Sequence, residues 1–329
     1  MIRRIAVIGA GNMARVRSKA LLATGQATIC GIASRTLASA RRFGVEIGCD
    51  ACYDRYEPLL DTSPDAVLIE IPHQPQDAAT FWALEHGLHV LVGGCLASTS
   101  QAARQIADVA QAKGLVVEAG YASRYGDLWR RVRSLVQGGE LGRLVAVRSI
   151  ALWAGDPSTW YYDQRQSGGM PLTHMTYGYI NLLRWVLGDP LSVSAMANRV
   201  RHTQADLVEQ ETCLANLVFG GDVLASMMAS FVKPGNLEGW SVFLLGSEGM
   251  AKVLSDKNLL QIDRDGNKTT LDFTASPDSF AQQARAFVAA LDGNTTCLNT
   301  PADCLGDVLV AEAIARSCHN HETAWLQPQ

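Results

Sequence analysis

Arg3-Arg4-Ile5-Ala6-Val7-Ile8-Gly9-Ala10-Gly11-Asn12-Met13-Ala14 decides how the first half of the chain is read. Arg3 to Ile8 is a short apolar run of the kind buried in a parallel sheet. It leads directly into a G-x-G-x-x-A pattern. Gly9 permits a tight turn, Gly11 lets the backbone approach a pyrophosphate, and Ala14 is small enough for the next helix to pack on the strand. That helix aims its first N–H groups at the phosphates. A strand before the glycines and a helical stretch after them is the context such a loop requires. Gly9, Gly11, Asn12, Met13 and Ala14 are therefore assigned to a dinucleotide.

A second strand is expected at Ala27 to Ala33, closing in Ser34-Arg35-Thr36. An NAD site usually carries Asp or Glu here, about 20 residues past the glycine loop, to hold the ribose 2′-hydroxyl. Ser34 has no charge to repel a 2′-phosphate and Arg35 can pair with one, so NADP is favoured over NAD as cofactor. The alternation continues with a strand from Asp65 to Ile71 stopped by Pro72 and a helix from Gln76 to Gly87. A strand at His89 to Val92 then closes in Gly93, and a helix from Ser98 to Lys113 precedes a strand from Leu115 to Gly120. Strand and helix in turn build a doubly wound parallel sheet. Pro72 and Gly93, at the ends of its strands, join the cofactor-binding set.

After Gly120 the rhythm changes. A helix at Asp127 to Gln137 is followed mostly by strands: Leu144–Ala154, Ser192–Arg199, Glu211–Phe219, Asp222–Phe231, Glu238–Gly246, Met250–Leu254 and Asn258–Asp263. Gly220-Gly221-Asp222 and Asp265-Gly266-Asn267 mark hairpins. One long helix, about Pro171 to Leu187, interrupts the run. Two helices finish it. Ser276-Pro277 caps the first, whose Phe280, Ala284, Phe287, Val288 and Leu291 share a face; Thr300-Pro301-Ala302-Asp303 opens the second. The fold class is thus α/β. A Rossmann domain (1–122) with a doubly wound parallel sheet precedes a C-terminal α/β domain (123–329) with an open, mostly antiparallel sheet.

The bulk numbers agree with two domains. The chain has 329 residues, 48% of them hydrophobic and 18% charged, an ordinary globular balance. A net charge of −4 gives no footprint for nucleic acid or an anionic membrane. No apolar run reaches the roughly 18 residues of a membrane span, and the N-terminus lacks the apolar stretch of a signal peptide. With eight scattered cysteines, a reducing, cytoplasmic setting is expected. Cys49 and Cys52 form a C-x-x-C in a connecting segment and are read as structural, since no second pair completes a zinc site. His319 and His321 read as a solvated tail, so no metal is expected.

Beyond the glycine loop, further landmarks run through Ala83-Leu84-Glu85-His86-Gly87-Leu88-His89-Val90-Leu91-Val92, Gly120-Tyr121-Ala122-Ser123-Arg124-Tyr125 and Gly139-Glu140-Leu141-Gly142-Arg143. Gly168-Gly169-Met170-Pro171-Leu172 then leads to Asn181-Leu182-Leu183-Arg184-Trp185. With these, nearly the whole chain resembles the Gfo/Idh/MocA oxidoreductases. The resemblance implies hydride transfer between NAD(P) and a small sugar-like or cyclitol-like substrate. It also implies a C-terminal sheet that often forms the subunit contact, hence a homodimer or homotetramer. It puts Tyr121 and Arg124 near the cofactor.

The chain departs from the family where chemistry is concentrated. Members usually carry Glu-Lys-Pro after the strand ending at Val92, and here Gly93-Gly94-Cys95 stands instead. The usual Asp, His and Asp of the long helix align with His174, Gly178 and Asn181. His174 is then the leading acid–base candidate, since an imidazole of ordinary pKa suits proton transfer near neutrality. Helical spacing sets His174, Tyr177, Gly178 and Asn181 on one face, which by resemblance looks at the nicotinamide. Tyr177 is a second proton donor candidate and Asn181 a substrate contact, as is Tyr121. Trp153, Trp160, Tyr161 and Tyr162 offer a stacking wall for a ring, with Trp160 and Tyr162 the expected substrate contacts. Gln76 stands where many members have histidine and receives no role, and Cys95 has no basic neighbour to activate it. The expected activity is an NAD(P)-dependent oxidoreductase acting on a carbonyl, alcohol or imine. Two alternatives stay open. One is an NAD-dependent glycoside hydrolase, which Pro171-Leu172-Thr173-His174 loosely resembles. The other is a silent dinucleotide-binding protein.

Overall fold

A computed structural model describes residues 2–204, 207–236 and 239–326. The chain divides into two compact units, the first Met1–Tyr125 with Asp278–Leu305 and the second Gly126–Pro277 with Gly306–Gln329.

The first unit runs β1 (Arg3–Ile8), α1 (Asn12–Leu22), β2 (Ala27–Ala33), α2 (Leu37–Ile47), β3 (Cys52–Tyr53), β4 (Ala66–Ile69), α3 (His73–Glu85), β5 (His89–Val92), α4 (Ser100–Lys113) and β6 (Val117–Ala119). The six strands lie in the order β3-β2-β1-β4-β5-β6, all parallel. The order reverses direction at β1, which is where such sheets open a binding crevice beyond the strand ends. Ile5, Val7, Leu68 and Leu91 are buried between helices on the two faces. That double coverage is why these strands read as unbroken apolar runs. Cys52 belongs to the edge strand β3 and pairs with Ile32, so the C-x-x-C is not wholly in a connecting segment as expected.

The expected cut at 122/123 misses one element. Helix α8 (Ser279–Leu291), far along the chain, packs on α1 in the first unit. Its Ala284, Phe287, Val288 and Leu291 are buried in the same core as Ile5 and Leu21, and Phe280 is half-buried. That stripe needs a partner, and removing a side chain like Phe287 costs about 3–5 kcal/mol. The cap is Asp278, whose carboxylate accepts from Ala281 N at 3.2 Å, rather than the expected Ser276.

The second unit contains α5 (Asp127–Gln137), β7 (Leu144–Leu152), the short α6 (Gln164–Ser167), a π-helical segment Pro171–Ile180 and α7 (Asn181–Leu187). Strands β8 (Pro190–Asn198), β9 (Thr212–Phe219), β10 (Leu224–Ser230), β11 (Trp240–Gly246), β12 (Met250–Leu254), β13 (Leu259–Arg264) and β14 (Asn267–Asp272) follow. Helix α9 (Pro301–Asn320), which belongs to this unit from Gly306 on, and β15 (Ala324–Trp325) complete it. Its nine strands lie in the order β14-β13-β12-β11-β7-β10-β9-β8-β15. Only the β7–β10 pairing is parallel among those described. The expected strand Glu238–Gly246 begins at Trp240, and Glu238 lies outside the described residues.

The single helix expected over Pro171–Leu187 is broken. Its first part is π-helical, and Tyr179 takes φ +127° before α7 starts at Asn181. A bulky residue at such a φ is strained. Packing holds it there. The Tyr179 ring lies 5.7 Å from Trp129 and 5.9 Å from Trp240, and its hydroxyl is 3.1 Å from Ser255 Oγ. The face proposed to carry His174, Tyr177, Gly178 and Asn181 is therefore interrupted at its midpoint.

Candidate functional site

In the first unit, the turn after β1 has the geometry its sequence calls for. Gly9 N donates to Ala33 O at 2.8 Å. Gly9 has φ +120°, and a Cβ there would stand 2.1 Å from Glu70 O. Only glycine fits between the ends of β1 and β4. Gly11 is the opposite case, since a Cβ on it would meet nothing within 4 Å. It opens α1, which has no side-chain cap and no acidic residue in its first turn. The first N–H groups of a helix have no internal partner, and their partial positive charge favours an anion. Ala14 is fully buried beneath them, whereas Asn12 is exposed and Met13 half-buried. These residues fit a dinucleotide pyrophosphate. A neighbour not anticipated in the sequence is Arg15, whose Nη1 donates to Ala10 O at 2.6 Å and Nε to Glu46 Oε2 at 2.8 Å.

At the end of β2, Ser34 N donates to Tyr53 O at 3.1 Å and Arg35 is exposed. Pro72 caps α3, and Gly93 N donates to Ile69 O at 2.7 Å. Gly94 has φ +74°. Gln76 is buried and donates to Cys95 O at 2.8 Å, a structural role that explains a polar side chain at that place. Tyr121 is buried, with its carbonyl accepting from Asn299 Nδ2 at 3.1 Å. Arg124 is buried too, donating to Leu298 O at 3.1 Å and pairing with Asp303.

Glu118, in the run Leu115 to Gly120, is a group that spacing does not single out. Its carboxylate is wholly buried and accepts from Tyr125 Oη (3.0 Å), Gln283 Nε2 (2.9 Å) and Asn299 Nδ2 (2.9 Å). Burial raises its pKa even so. The available signal was a lone acid in a buried apolar strand.

In the second unit, His174 is buried within an aromatic group. Its ring lies 5.1 Å from Phe231, 5.4 Å from Trp240 and 6.1 Å from Trp153. Nε2 is 3.1 Å from the Ala151 carbonyl oxygen, which can only accept, so Nε2 carries the hydrogen and Nδ1 the lone pair. Desolvation brings the pKa down to about 4, against a smaller opposing effect of the carbonyl. The expectation of an ordinary imidazole pKa is thus corrected: His174 is neutral at pH 7.

A test follows from the sign of this shift. As pH falls through about 6.5 toward about 4, the unfolded chain binds a proton that the folded imidazole refuses. Stability contributed by His174 is complete above that window and is lost as pH drops across it, by about 3 kcal/mol in all. Urea midpoints at pH 7 and 4.5 should show a smaller acid loss for His174→Gln than for the wild type. Equal losses would place the acid sensitivity elsewhere.

Tyr177 is half-buried. Asn181 is buried, donating through Nδ2 to Asp307 Oδ2 at 2.7 Å, while Arg184 Nη1 pairs with the other oxygen at 2.6 Å. Its amide is thereby engaged in the core. Trp160 and Tyr161 stack at 4.0 Å, Tyr161 meets Trp153 edge-on at 4.9 Å, and all three are half-buried. Tyr162 does not join that wall. It is buried against Phe231 at 5.1 Å, its hydroxyl pushed up to about 12 by desolvation. His319 and His321 are exposed, and no group of three or more potential metal ligands occurs among the described residues.

Comparison with known proteins adds to this geometry. Residues 3–121 match the model described as "Oxidoreductase family, NAD-binding Rossmann fold" and residues 129–252 the "GFO/IDH/MocA C-terminal domain". The chain is 26% identical over 214 residues to "D-glucoside 3-dehydrogenase" of Escherichia coli (strain K12), covering 64% of this chain and 60% of that protein. It is 34% identical over 146 residues to "dTDP-3,4-didehydro-2,6-dideoxy-alpha-D-glucose 3-reductase" of Streptomyces antibioticus, covering 43% of each. These alignments span less than two thirds of either relative. In fold it is similar to an aldose-aldose oxidoreductase from Caulobacter crescentus complexed with glycerol, with a TM-score of 0.88, 20% identity, and 99% and 100% of the two chains covered.

Proposed function

Since the chain belongs to the Gfo/Idh/MocA oxidoreductase family, we propose that it is an NAD(P)-dependent oxidoreductase of a small sugar-like or cyclitol-like substrate, with NADP preferred. The observation that carries this reading is the turn at Gly9 and Gly11, where side-chain room is denied on one side and open on the other at an uncapped helix start. The activities for which the two relatives are named, both on sugar derivatives, support the substrate class.

A bound nicotinamide dinucleotide would accept or donate the hydride. Gly9, Gly11 and the first N–H groups of α1 would hold its pyrophosphate, with Ser34 and Arg35 at the adenosine ribose. His174 is the acid–base group. Its Nδ1 lone pair takes the hydroxyl proton when an alcohol is oxidised, and the protonated ring returns it when a carbonyl is reduced. With its pKa brought down to about 4 by burial, the free ring is neutral at pH 7 and its lone pair is available to receive the proton. Tyr177 assists from the same segment, and Trp160 with Tyr161 and Trp153 presents a ring face to the substrate. A small-molecule substrate in a cytoplasmic setting fits eight free thiols and the lack, among the described residues, of a helix able to cross a membrane. A homodimer or homotetramer through the nine-stranded sheet accounts for Met196, Leu214 and Leu224, exposed along one face of β8, β9 and β10.

The test is direct. The purified protein is titrated with NADPH and NADH, and nicotinamide absorbance is then followed across polyols, carbonyls and imines. Net change with a sugar or cyclitol supports the proposal. Glycoside cleavage without net change, or tight binding with no turnover, would replace it by one of the two alternatives. Arg35→Ala should weaken NADPH about 10–100-fold, the usual worth of a charge-assisted phosphate contact, and leave NADH within about twofold. Equal weakening of both would end the NADP preference.

A further inference from the structure

Glu70 follows β4 and Gly93 follows β5, and they stand side by side. Ile69 pairs with Val92 in the parallel ladder, and Gly93 N donates to Ile69 O at 2.7 Å. A Cβ on Gly93 would lie 2.2 Å from Glu70 Oε2, 2.3 Å from Cδ and 2.5 Å from Oε1. The Glu70 carboxylate therefore occupies the room of a side chain at position 93. The two places cannot both be filled.

What the carboxylate holds there is Arg17 of α1. Arg17 Nε is 2.5 Å from Glu70 Oε1, with the pair almost wholly buried. The approach pairs charge without the angle of a hydrogen bond. The rest of the guanidinium is tied down: Nη1 donates to Gln283 Oε1 at 2.5 Å, Nη2 to Gly120 O, and the group lies 5.0 Å over the Phe280 ring. Gly120 is bare for the same reason as Gly93, since a Cβ there would meet Arg17 Nη2 at 2.6 Å. The ion pair thus runs between two glycines and joins the carboxyl ends of β4, β5 and β6 to α1. Those ends border the crevice in which parallel sheets of this order take their ligands.

We infer that Glu70 is a positioning residue of the dinucleotide site, supplying from β4 a carboxylate whose place is the side-chain position of Gly93 on β5. It acts through Arg17, fixing α1 and the strand ends on which the cofactor rests. This rests on the dinucleotide-binding reading above. It predicts that the carboxylate can be moved from one strand to the next.

The experiment compares wild type, Glu70→Ala, Gly93→Glu and Glu70→Ala/Gly93→Glu by NADH and NADPH titration and by thermal melting. Glu70→Ala leaves Arg17 buried without its counter-charge and should weaken both dinucleotides about tenfold or more. Gly93→Glu alone forces two carboxylates into one space and should be at least as poor. The double variant should bind within about threefold of wild type, a strong positive coupling between neighbours. If Glu70→Ala does not fold, Glu70→Gln keeps the shape without the charge and should show the same loss. Wild-type affinity in Glu70→Ala or Glu70→Gln overturns the inference. So does a double variant that recovers melting temperature but not binding, which would reduce Glu70 to packing, or one that recovers neither. A wild type that binds neither dinucleotide defeats the functional reading itself, and the positioning role with it.

Discussion

Gly9→Ala is expected to abolish dinucleotide binding, raising Kd for NADH and NADPH by more than about a hundredfold, or at least about 2.7 kcal/mol. The methyl group would be placed 2.1 Å from Glu70 O and 2.8 Å from Glu70 C. Both are backbone atoms. They cannot move away independently, because Glu70 N donates to Ile8 O at 2.8 Å and β1 and β4 are paired from Ile5–Ala66 to Ile8–Ile69. The φ of +120° adds strain for any residue with a Cβ. The turn itself must shift, and the start of α1 shifts with it. Gly11→Ala separates the two glycine roles. Its methyl meets no protein atom, so the melting temperature should hold while a pyrophosphate is obstructed. Titrations of both variants beside melting curves decide the matter. Wild-type affinity in Gly9→Ala would remove the turn from the site.

His174→Ala should lower kcat by about 10²–10⁴, the usual share of a general acid–base group, with dinucleotide Kd unchanged. The structure supplies the tautomer this needs, since the Ala151 carbonyl fixes Nε2–H and leaves Nδ1 as acceptor. It also sets the main confounder. The ring is buried among Phe231, Trp240 and Trp153, so its truncation leaves a cavity and some stability is lost. Melting curves and the kcat-against-Kd split distinguish lost chemistry from lost packing, and His174→Gln retains a side chain of nearer size. Undiminished turnover in either variant would transfer the proton step to Tyr177 or to solvent.

The parallel half of the fold was legible because its strands are buried on both faces, and its glycine turn because sterics at Gly9 admit no other residue. The broken helix was not legible. Nothing local in Pro171 to Leu187 forecasts a tyrosine at positive φ; its cause is packing against Trp129 and Trp240, both remote in sequence. Strands β14 and β15 escaped notice for a different reason. Asn267–Asp272 is a mostly polar, exposed edge and Ala324–Trp325 only two residues long, so neither shows apolar alternation. Of the candidate site, the cofactor turn could be read from spacing alone. The burial of His174 and Tyr162, the engagement of Asn181 by Asp307 and the Glu70–Arg17 pair arise from contacts between distant segments, which spacing does not carry.

The return of Asp278–Leu305 to the first unit bears on how the protein is made. A nascent chain that has just released residue 125 from the ribosome still lacks the helix that covers α1 and the glutamine that holds Arg17. The dinucleotide unit can close only after about 180 further residues have been translated, roughly 10–35 s at ordinary elongation rates. Until then part of its apolar core lacks its cover, and a gene truncated at the apparent domain boundary would encode an incomplete fold.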